Sequence, residues 1–189
     1  MGLVDIHCHL LYGVDDGAKT REDSIAMLDV ASEEGVTDII LTPHYRHGMF
    51  SYPGDVIRKH FLQLQLESEK RGVHLHLGCE YHVNSQILSY LEKKRVLSLA
   101  GSEYVLTEYA HDTEEAYIRQ MSEELLCHGY IPVIAHIERY DCFRKNIQLA
   151  SQLQKQGIWI QINADAVLGK NGFGTKQFCK KLLDREAVD

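Results

Sequence analysis

Residues 3–9, Leu3-Val4-Asp5-Ile6-His7-Cys8-His9, read as a short apolar strand that runs into two histidines. Side chains at i and i+2 of a strand leave on the same face. His7 and His9 therefore project together and can reach one metal ion from the strand's end. The same alternation turns Cys8 the other way, which argues against a thiolate nucleophile there.

Working outward, short β-rich runs alternate with longer helical stretches, the pattern of an α/β protein. The Gly13–Gly17 turn follows the first run. Thr20 then caps a helix predicted from Arg21 to Glu34, with Asp23 as its capping-box partner and Gly35 as its stop. Further strands are expected at Asp38 to Thr42, Val73 to Cys79, Tyr104 to Thr107, Ile131 to Ala135 and Ile158 to Ile162. Between and after them, helices are expected from the Pro53 region to near Gly72, and over 85–94, 114–128, 145–156 and 175–184. Six strand-like runs separated by helices fit a parallel sheet, either barrel-like or doubly wound.

In such folds the site gathers at the carboxyl ends of the strands. Those ends carry His7 and His9, His44, Glu80, Glu108 and His136, with Asp16 in the first loop. Burying so many ionisable groups without a counter-charge would be costly, and metal ions supply that charge. Four histidines and three carboxylates suit Zn, Mn or Fe, and Glu80 could bridge two ions. The chemistry expected is metal-assisted hydrolysis. Arg139, three residues past His136, is expected to grip a phosphate oxygen, with Arg46 a weaker second candidate.

Composition narrows the partners. The chain has 189 residues, 44% of them hydrophobic, enough to bury the core of the single domain expected over 1–189. A net charge of -7 argues against nucleic acid or an anionic membrane surface as partner. Five cysteines without a Cys-x-x-Cys pair fit free thiols in a reducing compartment. No apolar run approaches the roughly 18 residues that span a bilayer, and a cytoplasmic location is expected.

Five segments carry a family resemblance. They are Asp5-Ile6-His7-Cys8-His9, Val14-Asp15-Asp16-Gly17, Thr42-Pro43-His44, Gly78-Cys79-Glu80 and Val133-Ile134-Ala135-His136-Ile137-Glu138-Arg139-Tyr140. In this order they resemble the PHP superfamily and, within it, the bacterial manganese-dependent protein-tyrosine phosphatases of capsule and exopolysaccharide operons, the CpsB/YwqE type. The resemblance implies a distorted, TIM-like (β/α)7 barrel holding two or three Mn ions, with Fe or Zn as alternatives. It implies that His7 and His9 hold one ion, that Glu80 bridges it to a second held by His44 and His136, and that Asp16 and Glu108 hold a third. Arg139 would bind the phosphate and stabilise the transition state. The implied substrate is a phosphotyrosine protein, a membrane-associated bacterial tyrosine kinase controlling polysaccharide export. Two rival readings are a phosphatase of small molecules such as histidinol phosphate, and a metal-binding module without turnover. The family's later Ser-Asp-x-His strand has no counterpart in the sequence. The chain is therefore expected to be C-terminally incomplete, to lack its last strand or strands, to leave the edge of the sixth strand open, and to associate into homo-oligomers.

Overall fold

The computed structural model describes residues 2–189. The chain forms two compact units, one up to Leu106 and the other Thr107–Asp189. The first contains β1 (Leu3–Cys8), α1 (Arg21–Glu33), β2 (Val36–Leu41), β3 (His44–Tyr45), α2 (Gly54–Glu69), β4 (His74–Leu77), β5 (Glu80–His82) and α3 (Ile87–Glu92). The order β1-β2-β4 makes one sheet, and its pairs are parallel.

Local chemistry sets the ends of α1. Thr20 Oγ1 accepts from the Asp23 N–H at 3.2 Å and the Asp23 carboxylate accepts from the Thr20 N–H at 2.9 Å, the reciprocal capping box worth about 1 kcal/mol. Gly35, at φ +82°, stops the helix in the left-handed conformation that glycine adopts without a Cβ penalty. Leu28 of α1 then packs with Ile39 and Leu41 of β2, Ile57 and Leu64 of α2 and Leu75 of β4 in one buried cluster. Each such side chain contributes roughly 2 kcal/mol by leaving water, so this core is what sets the helices on the sheet.

The expected strand ends at His44 and Glu80 turn out to be strand beginnings. Pro43 lacks an N–H for the ladder, and the chain restarts as β3; likewise β4 ends before Gly78, and β5 starts at Glu80. The ladder nevertheless carries across both breaks, because Gly78 N–H donates to Leu41 O at 2.8 Å and Glu80 N–H to Pro43 O at 3.2 Å. β3 and β5 therefore pair in parallel with His44 opposite Glu80 and Tyr45 opposite Tyr81. Two candidate ligands far apart in sequence become cross-strand neighbours.

The second unit contains α4 (Glu115–Cys127), β7 (Ile131–Ile134), α5 (Asp141–Lys145), α6 (Gln148–Gln154), β8 (Trp159–Ile160), α7 (Ala164–Leu168) and α8 (Phe173–Leu183), with β6 (Tyr104–Glu108) leading into it. Ala135 N–H donates to Thr107 O at 3.0 Å, and β7 and β8 are parallel, Val133 opposite Trp159 and Ile134 opposite Ile160. The helix expected over 145–156 is the shorter α6, and a separate helix, α5, precedes it and ends at Lys145. Asn146 leaves helical geometry at φ -134° and ψ 87°, and its Oδ1 takes the Gln148 N–H at 3.2 Å to start the second. The expected sixth strand is two residues long, because the chain turns at Gln161 to Asn163 into α7. At that strand Asp189 N–H donates to Ile160 O at 3.0 Å and Ile160 N–H to Asp189 Oδ2 at 2.8 Å. Among the described residues no helix is long and apolar enough to cross a membrane.

Candidate metal centre

In the first unit three imidazoles converge on one carboxylate oxygen. Glu80 Oε2 lies 3.0 Å from His7 Nε2, 3.0 Å from His9 Nε2 and 3.2 Å from His44 Nδ1. His7 and His9 come from the end of β1, His44 from the start of β3 and Glu80 from the start of β5. The two Nε2 atoms of His7 and His9 are themselves 3.2 Å apart. The Glu80 side chain is 1% exposed and that of His7 8%, so the charges assembled here are shielded from water. Donors about 2 Å from a common ion lie roughly 3–3.5 Å from one another, which is the spacing found here. His9, His44 and Glu80 offer ligand atoms all within 4.8 Å of one another, a set that fits a divalent metal ion, with nitrogen and oxygen ligands suited to Mn, Fe or Zn.

Electrostatics agree with the geometry. Burial opposes a charge on His9, but its hydrogen bonds to Asp15 and Glu80 outweigh that and push its pKa up to about 10. His44 moves the other way: burial and the neighbouring His9 lower its pKa against the pull of Glu80.

The residue that the sequence reading assigned to the turn, Asp15, is the one built into this cluster. Its side chain is fully buried, and Oδ2 accepts from His9 Nδ1 at 2.9 Å and from the His44 backbone N–H at 3.1 Å. Its Oδ1 accepts from the Gly17 N–H at 2.9 Å. Burial pulls its pKa up, but the bond and charge of His9 hold it below the ordinary carboxylate value. Gly17 lets this loop close: a Cβ there would sit 2.1 Å from His9 O and 2.5 Å from His9 Cβ. Asp16 is at the rim, 66% exposed, with Oδ1 3.5 Å from His44 Nε2. The Asp-Asp-Gly letters signalled two acids and a turn; which acid is buried follows from the turn's packing on His9.

Arg46 stands at the base of a tight turn, where it and Phe50 exchange backbone hydrogen bonds of 2.9 Å. The Phe50 ring stacks on His44 at 5.3 Å and 11°, which holds that imidazole against its other neighbour, His9, at 4.5 Å. In the second unit the remaining expected ligands also meet, His136 Nε2 lying 3.8 Å from Glu108 Oε1. His136 is buried in the left-handed region at φ 36°, a conformation costing a β-carbon residue about 1–2 kcal/mol. It is held there by Gln161, whose Oε1 accepts the His136 N–H at 2.6 Å, and by the Tyr140 hydroxyl 3.3 Å from Nδ1. Arg139 follows in a 3-10 turn with an exposed side chain.

Cys8 and Cys179 are inert by placement. Cys8 packs against the core cluster, and burial with Asp5 beside it pushes its pKa up to about 12. The spacing Cys-x5-Arg does occur once, from Cys179 to Arg185, but Cys179 lies buried in α8 rather than in a phosphate-binding loop.

The family model for capsular polysaccharide synthesis proteins CpsB/CapC matches residues 3–189. The tyrosine-protein phosphatase CpsB of Streptococcus pneumoniae is 37% identical over 193 aligned residues, which take in 98% of this chain and 79% of that protein. The tyrosine-protein phosphatase YwqE of Bacillus subtilis is 34% identical, over 98% of this chain and 74% of its own length. A chain from the crystal structures of YwqE and of pneumococcal CpsB, described as unique metal-dependent tyrosine phosphatases, matches with a TM-score of 0.90. It is 34% identical and is covered over 76% of its length by 98% of this chain. The PHP-type α/β fold expected from the sequence is thus the fold of these relatives, and the chain belongs to the CpsB/CapC family of capsular polysaccharide synthesis proteins.

Proposed function

We propose that the protein is a metal-dependent protein-tyrosine phosphatase, hydrolysing phosphotyrosine on a tyrosine kinase that governs capsular or exopolysaccharide synthesis. The observation that carries this reading is the convergence of His7, His9 and His44 on the single oxygen Glu80 Oε2 in a chain whose relatives bear the phosphatase name. His7, His9, His44 and Glu80 would hold the metal, with Mn as the proposed ion. The family resemblance adds Asp16, Glu108 and His136 as further ligands. A divalent ion in such a site supplies Lewis acidity to a phosphoryl oxygen and acidifies water near neutral pH.

The chain's own residues prepare for that chemistry. Glu80, buried and shared among three imidazoles, would supply the carboxylate oxygen of the site. Asp15 keeps a proton on His9 Nδ1, so Nε2 faces Glu80. Asp16, at the solvent rim with Oδ1 3.5 Å from His44 Nε2, is a further proposed ligand. Arg139 and Arg46 are the proposed phosphate ligands, since a guanidinium grips two phosphoryl oxygens at once. No covalent phosphoenzyme is expected, because the buried thiols are held protonated. The proposed place of action is the cytoplasmic part of a membrane-associated kinase.

Phosphate release from a phosphotyrosine peptide and from histidinol phosphate, with and without chelator, tests the reading. Hydrolysis of the peptide that chelator abolishes supports it. A strong preference for histidinol phosphate, or turnover undiminished by chelator, would overturn it.

A further inference from the structure

We infer that Asp15 is a positioning residue for the metal centre, the group that fixes how His9 and His44 present their nitrogens; this rests on the reading of the cluster as a metal site. The Asp15 side chain is fully buried, and each of its oxygens accepts N–H donors from a different part of the fold. Oδ1 takes the Gly17 amide of its own loop. Oδ2 takes the His44 amide, at the start of β3, and His9 Nδ1, at the end of β1. One carboxylate thus ties two ligand-bearing strands and their connecting loop to a common point.

The consequence for His9 is chemical as well as mechanical. An imidazole coordinates through a nitrogen lone pair, and a carboxylate on the other ring nitrogen settles which one carries the proton. With Nδ1–H donating to Asp15, Nε2 is the nitrogen left to face Glu80, 3.0 Å away. An amide in place of the carboxylate cannot serve all three donors. Whichever way the Asp15→Asn amide faces, its NH2 meets an N–H: the Gly17 amide in one orientation, the His44 amide and His9 Nδ1–H in the other. The first frees the loop from the strand that carries His9; in the second His9 escapes the clash by moving its proton to Nε2, where it points at the metal position, the logic by which an Asp→Asn change disables a catalytic histidine elsewhere. The variant keeps the shape of the buried side chain and loses one of its ties in either case. For His44 the effect is positional alone, since Asp15 holds its backbone and not its ring.

The inference is tested by the affinity for Mn2+, read from the free ion by electron paramagnetic resonance, together with the melting temperature of the metal-free protein. Wild type, Asp15→Asn and Asp23→Asn are compared. Asp23 belongs to the capping box of α1, so Asp23→Asn lowers stability without touching the cluster. Asp15→Asn is expected to bind the tightest Mn2+ about 10–100-fold more weakly, while Asp23→Asn keeps the wild-type affinity whatever it loses in melting temperature. Equal affinity in wild type and Asp15→Asn would overturn the positioning role. So would an affinity that falls in Asp23→Asn as far as in Asp15→Asn, since the effect would then belong to stability. Wild type that takes up no Mn2+ would instead overturn the metal reading itself and this inference with it.

Discussion

Replacing Gly17 by alanine asks whether the loop packs on the end of β1 as described. The added Cβ would lie 2.1 Å from His9 O and 2.5 Å from His9 Cβ, whereas ordinary contact begins at 3.4 Å. The neighbours are backbone and a Cβ, which cannot swing aside, so loop and strand must separate by more than an ångström. Such overpacking costs roughly 1–3 kcal/mol. Against it stands the reduced freedom of the unfolded chain, worth about 0.4–1 kcal/mol to any Gly→Ala change the backbone tolerates. Gly17 is not among the positive-φ glycines, so that gain applies in full. The steric term wins, leaving a net loss of about 1–2 kcal/mol and a melting temperature lower by roughly 2–8 °C for a chain of this size. The retreat also stretches the Gly17 N–H bond to Asp15 and displaces His9, so Mn2+ affinity should fall about tenfold or more. Gly54→Ala is the control, since a Cβ there meets nothing within 4 Å, and it should melt at or slightly above wild type. Calorimetry and Mn2+ titration of the three proteins decide the matter. If Gly17→Ala melts with Gly54→Ala and binds Mn2+ as wild type does, the loop does not rest on His9.

Two further predictions concern cysteines and a buried carboxyl. Iodoacetamide at pH 8, followed by mass spectrometry, should label the exposed Cys127 first. Cys8, held up at about 12, buried Cys79, and Cys179, at about 11, should stay unmodified in the native protein; rapid labelling of Cys8 would contradict their placement. Glu138→Gln probes a buried carboxyl whose pKa burial raises, with the Asn163 N–H 3.4 Å from its Oε1. A raised carboxyl pKa means that the folded state favours the proton. The stability is therefore present below the ordinary value near 4.5 and lost as pH rises through the folded value. Glutamine cannot ionise, so the variant should melt higher than wild type at pH 8, and the gap should close near pH 4.5. A variant that melts lower at pH 8 would place Glu138 in an ion pair instead.

What the sequence made legible was the chemistry carried by neighbours along the chain. His7 and His9 could be paired from strand alternation, although β1 has a register irregularity between Asp5 and Cys8 that alternation does not reveal. Their meeting at Glu80 also depends on the β3–β5 pair, which exists because the chain breaks at Pro43 and Gly78 and re-pairs beyond them. Those breaks left Glu80 and His44 at the right place for the wrong reason, as strand starts rather than strand ends. Asp15 was missed because its letter is the same as that of Asp16. Burial of one and exposure of the other come from how Gly17 packs on His9, a contact between residues eight apart with no periodic signature. Likewise α7 follows from a turn at Gln161 to Asn163, not from any apolar repeat.

If the cluster on Glu80 is a metal centre for phosphotyrosine hydrolysis, phosphate release from a phosphotyrosine peptide must depend on it. The protein is stripped of metal and then titrated with Mn2+, beside Glu80→Gln treated identically. No turnover is expected in the stripped protein, recovery as Mn2+ fills the site, and neither tight Mn2+ binding nor recovery in Glu80→Gln. Metal-independent turnover, or a Glu80→Gln protein that recovers as wild type does, would contradict the metal-centre reading.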